Sequence, residues 1–153
     1  MMPKYRVWDT ETKKMCEVVA LDLHNSEVSY STKENEYGKV IKEFIKTEKM
    51  ADVELMQSIG INLWGRELYE GDILKVVATK LWGIERDKTY IYLDVTGVVT
   101  RNAIGTMIGD VQLLRAFDAE EVREMPAIEY LGNKFENPEL LEEIERTMKQ
   151  GSN

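Results

Sequence analysis

Apolar and polar positions alternate along most of this chain, and the alternation predicts strands first. Tyr5-Arg6-Val7-Trp8 is a β-rich run, followed by the polar stretch Asp9-Thr10-Glu11-Thr12-Lys13-Lys14. Met15, Glu17, Val19, Leu21 and Leu23 then alternate with Cys16, Val18, Ala20 and Asp22, so the two runs predict a hairpin. His24-Asn25-Ser26 predicts a second turn, and residues 27–30 a short partner strand. Residues 31–38 have loop composition. Residues 39–50 fit two readings: Val40, Ile41, Phe44 and Ile45 lie on one helical face, and a strand fits equally.

The middle of the chain carries the clearest strands. Residues 52–57 read as extended and end at Gly60; a turn at Gly65 precedes Glu67-Leu68-Tyr69; Glu70-Gly71-Asp72 turns into a strand at 73–77. From Tyr90 to Val99, Ile91, Leu93 and Val95 share one face while Tyr90, Tyr92, Asp94 and Thr96 share the other. Gly97 within that run predicts a bulge, where a missing Cβ lets the strand bend round a small barrel. A loop at 101–109 and a strand at 110–114 follow. Short strands at close spacing with glycine turns predict a small antiparallel barrel or sandwich.

The last third turns helical. Asp118 and Glu121 have capping-box spacing, which predicts a short helix to about Met125, stopped by Pro126. Residues 128–131 return as a strand before the turn at Gly132-Asn133. Asn137-Pro138 then starts a helix over about 138–149: Asn accepts free backbone N–H groups, and Pro loses no hydrogen bond at the first helical position. Leu140, Leu141, Ile144 and Met148 form its apolar stripe. The fold expected is mainly β (α+β), one domain over residues 1–153. It comprises an N-terminal hairpin region over about 1–50, a barrel core over about 51–135 and a C-terminal helix.

Composition narrows the function. With 43% hydrophobic and 31% charged residues, the 153-residue chain has the makeup of an ordinary globular protein. No apolar run reaches the roughly 18 residues that span a bilayer, and the first residues lack the apolar core of a secretory signal. The single cysteine, Cys16, cannot close an internal disulfide, which fits a cytoplasmic setting. Residues 116–153 hold 4 basic against 10 acidic side chains, so the net charge of −8 is concentrated at the C-terminal end. Without a Lys/Arg cluster, non-specific nucleic-acid binding is disfavoured.

Candidate chemistry is sparse. His24, the only histidine, reads as a turn residue rather than a general base, and Cys16 as a packed thiol. Glu67, Glu70 and Asp72 converge around Gly71 and are the residues a metal-dependent hydrolase would use, although turns select Asp and Gly for conformational reasons alone. Glu139, Glu142 and Glu143 suit the N-terminal end of a helix dipole; an acidic face mimicking DNA is the rival reading. No phosphate loop or dinucleotide fingerprint is present, and no catalytic residue, metal or cofactor is expected. Leu-Trp-Gly occurs twice, as Leu63-Trp64-Gly65 and Leu81-Trp82-Gly83. The two indoles either cap the ends of the core or present a contact surface, since tryptophan is enriched at interface hot spots.

Leu55-Met56-Gln57 with Gly60, followed by Tyr69-Glu70-Gly71-Asp72-Ile73, resembles the YopX family of phage and prophage proteins. Tyr5-Arg6-Val7-Trp8-Asp9 is similar to that family's opening, Gly97-Val98-Val99 to its central strand, and Gly132-Asn133 with Asn137-Pro138 to its ending. The resemblance implies an SH3-like barrel core in a bacterium or its phage, and brings no catalytic residue with it. One departure stands out: where the family commonly has a polar Asp/Asn-Gly turn, this chain has Asn62-Leu63-Trp64-Gly65. The expectation is a non-enzymatic, protein-binding or self-assembling β module that contacts a protein partner, or copies of itself, through Leu63, Trp64, Leu81 and Trp82.

Overall fold

The structure, a computed structural model, describes residues 4–82, 88–114 and 126–151. The short helix expected over 118–125 and Gly83 of the second Leu-Trp-Gly lie outside these residues. The chain divides into two compact units, Met1–Tyr69 and Glu70–Asn153, each built on its own antiparallel sheet.

The first unit contains β1 (Tyr5–Asp9), β2 (Lys14–Asp22), β3 (Glu27–Glu36), β4 (Lys39–Lys49), β5 (Glu54–Leu63) and β6 (Arg66–Tyr69), with a 3-10 turn at Met50–Asp52. Its strand order is β4-β3-β2-β1-β5-β6. The hairpin expected from the first two runs is present, with Val7 opposite Cys16 and Trp8 opposite Met15. β5 then pairs with β1, Val7 facing Leu55, so the strands read as the start of a barrel core join the N-terminal sheet instead.

One side of this sheet forms the core of the unit. Val7, Val28 and Tyr30 are fully buried and pack with Cys16, Val18, Leu21 and Leu55. Strict alternation along β2 would place Leu21 opposite to Cys16 and Val18. The register shows how it returns: Val18 pairs with Tyr30 and Ala20 with Ser29, so Val19 is an extra residue that resets the phase and lets Leu21 meet Val28.

Residues 39–49, readable as helix or strand, form β4, which pairs with β3 along its length. As the outer strand it carries Lys39, Lys42 and Lys49 exposed, the charged decoration that edge strands commonly bear. Most of the stretch read as a loop, residues 31–36, is the outer half of β3.

The second unit contains β7 (Asp72–Trp82), β8 (Lys88–Asn102), β9 (Gly105–Ile108), β10 (Val111–Gln112), β11 (Ala127–Asn133) and the helix α1 (Pro138–Gly151), in the sheet order β10-β9-β8-β7-β11. Part of the loop expected at 101–109 is β9, and the strand expected at 110–114 shrinks to two residues. Ile73, Leu74, Val76, Val99 and Ile108 are buried. Among the described residues both strand orders are linear, and neither sheet closes into a barrel.

β8 pairs with β7 as far as Val98–Ile73 and with β9 from Val99–Ile108 onward. Gly97 sits at this handover in regular register with Leu74, without the bulge expected there. The glycine is needed for another reason: a Cβ on it would lie 2.8 Å from the backbone nitrogen of Gly109.

Candidate functional site

Strands β5 and β6 are joined by two residues, Trp64 and Gly65, between the paired Leu63 and Arg66. Both adopt positive φ, 52° at Trp64 and 88° at Gly65. Two successive left-handed residues make the tight turn whose twist suits a hairpin, and its first position favours Asn, Asp or Gly. Tryptophan pays a steric penalty there, because its Cβ crowds the following carbonyl. The turn is held by Asn62, whose Oδ1 accepts the Gly65 N–H at 2.8 Å. The result is an indole 98% exposed at a hairpin tip.

Trp64 therefore does not cap a core: its side chain faces solvent. Leu63 beside it is half-buried. Leu81 and Trp82 end β7, opposite Thr89 and Lys88, and their side chains lie outside what the structure describes.

The hairpin β3–β4 repeats the device. Tyr37 and Gly38 link Glu36 to Lys39, with φ of 52° and 77°, and Tyr37 is 97% exposed. Sequence reading missed it because residues 31–38 look uniformly polar; the signal available was an aromatic residue before glycine, as at Trp64-Gly65.

Two of the three carboxylates proposed for metal chemistry are engaged elsewhere. Glu67 accepts a hydrogen bond from the Ser58 hydroxyl, and Asp72, fully buried, accepts one from Asn133. Among the described residues no three His, Cys, Asp or Glu side chains gather as a metal would require. Glu70 is half-buried, His24 is exposed in the β2–β3 turn, and Glu139, Glu142 and Glu143 are exposed on α1. No described helix is long and apolar enough to cross a membrane.

The motif residues behave as a structural frame. Met56 is buried, with Leu55 and Gln57 half-buried beside it, and Gly60 (φ 80°) marks an irregularity where β5 holds extra residues against β6. Tyr69 lies under the Arg6 guanidinium, 4.4 Å from its ring centre. Gly71 (φ 89°) donates its N–H to Val99 and accepts one from Lys134, while Asn133 reaches Asp72. Asn137 was expected to serve the free N–H groups of the helix that Pro138 opens; its side-chain oxygen instead reaches back to the Asn133 N–H. Gly132 leaves room beside it: a Cβ there would force the Asn137 side chain to shift.

One polar cluster escaped the sequence reading. Asp9, almost wholly buried, accepts from the Thr12 hydroxyl (2.9 Å), the Glu11 N–H (3.1 Å) and Lys46 Nζ (3.3 Å). Burial pushes its carboxyl up, but these donors outweigh burial and hold it below the usual aspartate value. Lys46 also bonds Glu11 at 3.0 Å, and that partner first, then Asp9, strengthens its proton affinity. Cys16 is buried as expected; burial foremost, then the charge of Asp9, raises its thiol above the ordinary cysteine value.

A family model described as YopX protein matches residues 4–142. No curated protein and no solved structure matches the chain.

Proposed function

The chain belongs to the YopX protein family, and from that premise we propose that it is a protein-binding module whose anchor is Trp64. One observation carries the reading. An indole at 98% exposure occupies a turn position where a small polar residue would be more stable, so the tip is unfavourable both as backbone and as surface. An aromatic anchor entering a partner's pocket recovers that exposure, as at interface hot spots. Leu63 supports the anchor from the strand end, and Leu81 and Trp82 belong to the same proposal through their shared tripeptide.

The module works by contact, without a catalytic step or cofactor, in the cytoplasm of a bacterium hosting a phage or prophage. Its second unit is read as a partly open version of a small SH3-like barrel. The handover of β8 from β7 to β9 at Gly97 supports that, because one strand shared by two partners is how a small sheet begins to curl.

A photo-crosslinking amino acid at position 64, compared with the same group at the exposed turn residue His24, tests the reading in bacterial cells. Discrete protein adducts from position 64 and few from position 24 are expected. Equal or absent adduct formation at the two positions overturns it.

A further inference from the structure

We infer that one water molecule is built into the core of the first unit, bound by the Tyr30 hydroxyl, Asp9 and Lys46. Tyr30 is fully buried on β3, and among the described residues its hydroxyl has no hydrogen-bond partner. Buried polar groups are paired in nearly all folded proteins, and where protein atoms do not serve them an ordered water does. The Cys16 thiol in the same core is directed elsewhere, at the Lys14 carbonyl 3.7 Å away.

The groups around the hydroxyl leave open the bonds that one water makes. Lys46 lies directly opposite Tyr30 across β3 and β4, so both side chains stand on one face of the sheet. From there Lys46 reaches Asp9 Oδ2 at 3.3 Å and Glu11 at 3.0 Å, which uses two of its three N–H donors. Asp9 Oδ2 also accepts from Thr12, whereas Oδ1 accepts only the Glu11 N–H and keeps a lone pair. The pair acts on the buried hydroxyl: burial foremost, then the Asp9 charge, raises it above the ordinary tyrosine value, with Lys46 opposing. A water that accepts from Tyr30 and Lys46 and donates to Asp9 Oδ1 completes all three.

The ion pair also fixes the class of ligand. A metal cation would face the Lys46 ammonium and an anion the Asp9 carboxylate, so a neutral molecule that both donates and accepts is what fits. Its position gives it a structural task. In the order β4-β3-β2-β1, Lys46 and Asp9 sit on strands separated by two others, so their contact requires the sheet to curl. The water joins Tyr30, on the intervening β3, to that closure.

Water magnetic relaxation dispersion of the full chain tests this, because it counts water molecules held far longer than those of the surface. Tyr30→Phe removes the hydroxyl and keeps the ring that fills the core, and circular dichroism shows that it is folded. Wild type is expected to hold one more long-lived water than Tyr30→Phe, and Tyr30→Phe to unfold at a lower urea concentration. Equal dispersion in the two proteins overturns the inference. So does a Tyr30→Phe protein at least as stable as wild type, since removing a hydroxyl that met no partner costs nothing. A measurement on wild type alone decides the matter if the variant fails to fold. The Tyr30 hydroxyl proton should show a nuclear Overhauser contact to water with the sign of long residence, and a hydroxyl proton without that contact overturns the inference.

Discussion

The Asn133 side-chain amide donates to the Asp72 carboxylate at 3.1 Å across a sequence separation of 61 residues, with both side chains fully buried. The bond joins the start of β7 to the end of β11, where the chain turns into α1. The Gly71-Asp72 and Gly132-Asn133 blocks thus each supply half of one corner. Asp72→Ala removes the charged acceptor of this buried bond, and is expected to lower stability by about 2–3 kcal/mol. Asp72→Asn, which keeps an acceptor oxygen, should lose less. Urea unfolding followed by circular dichroism measures both.

The close approach of Gly97 and Gly109 gives a second expectation. Gly97→Ala places a methyl group against backbone that cannot rotate away, at an expected cost of about 1–3 kcal/mol. Gly60→Ala, where nothing lies within 4 Å, should cost about 1 kcal/mol from its positive φ alone. Thermal melts of the two variants rank them.

Trp64→Asn should stabilise the fold by about 0.5–1 kcal/mol, because Asn tolerates the left-handed conformation better. A stability gain accompanied by lost association would mark Trp64 as kept for contact. Unfolding midpoints measured on dilute protein, where association does not contribute, check the first half.

Asp9 sets an acid dependence whose sign follows from its lowered carboxyl. A depressed folded-state value means the carboxylate stabilises the protein above the unfolded value of about 3.8, and that stabilisation fades as pH falls through the folded value. Asp9→Asn is therefore expected to be less stable than wild type by about 1–2 kcal/mol at pH 7, with the gap narrowing below about pH 4. Urea midpoints for both proteins from pH 7 to 3 show whether the curves converge.

Much of this architecture was legible in the sequence. The β1–β2 hairpin, the turn at Gly65, the strand around residues 73–77 and the helix after Asn137-Pro138 follow from alternation and capping chemistry. What escaped has physical causes. Val40, Ile41, Phe44 and Ile45 satisfy both helical and strand spacing, so only pairing with β3 decides. The bulge at Val19 is invisible because a one-residue insertion changes the facing of later residues without changing composition. Polar residues 31–36 form a strand because β4 supplies their hydrogen bonds, a partnership no local pattern announces. Asp72 read as a possible metal ligand because its partner Asn133 is distant in sequence. Trp64 was visible as an oddity, but its exposure depends on how the turn is wound.

The lysines of β4 have a bearing on the behaviour of concentrated solutions. A bare outer strand is a template for runaway stacking into fibrils, and placing Lys39, Lys42 and Lys49 along it means that an incoming copy must bury or crowd cations to add on. A variant with those three lysines neutralised is therefore expected to form thioflavin-positive deposits at concentrations where the unchanged chain forms none.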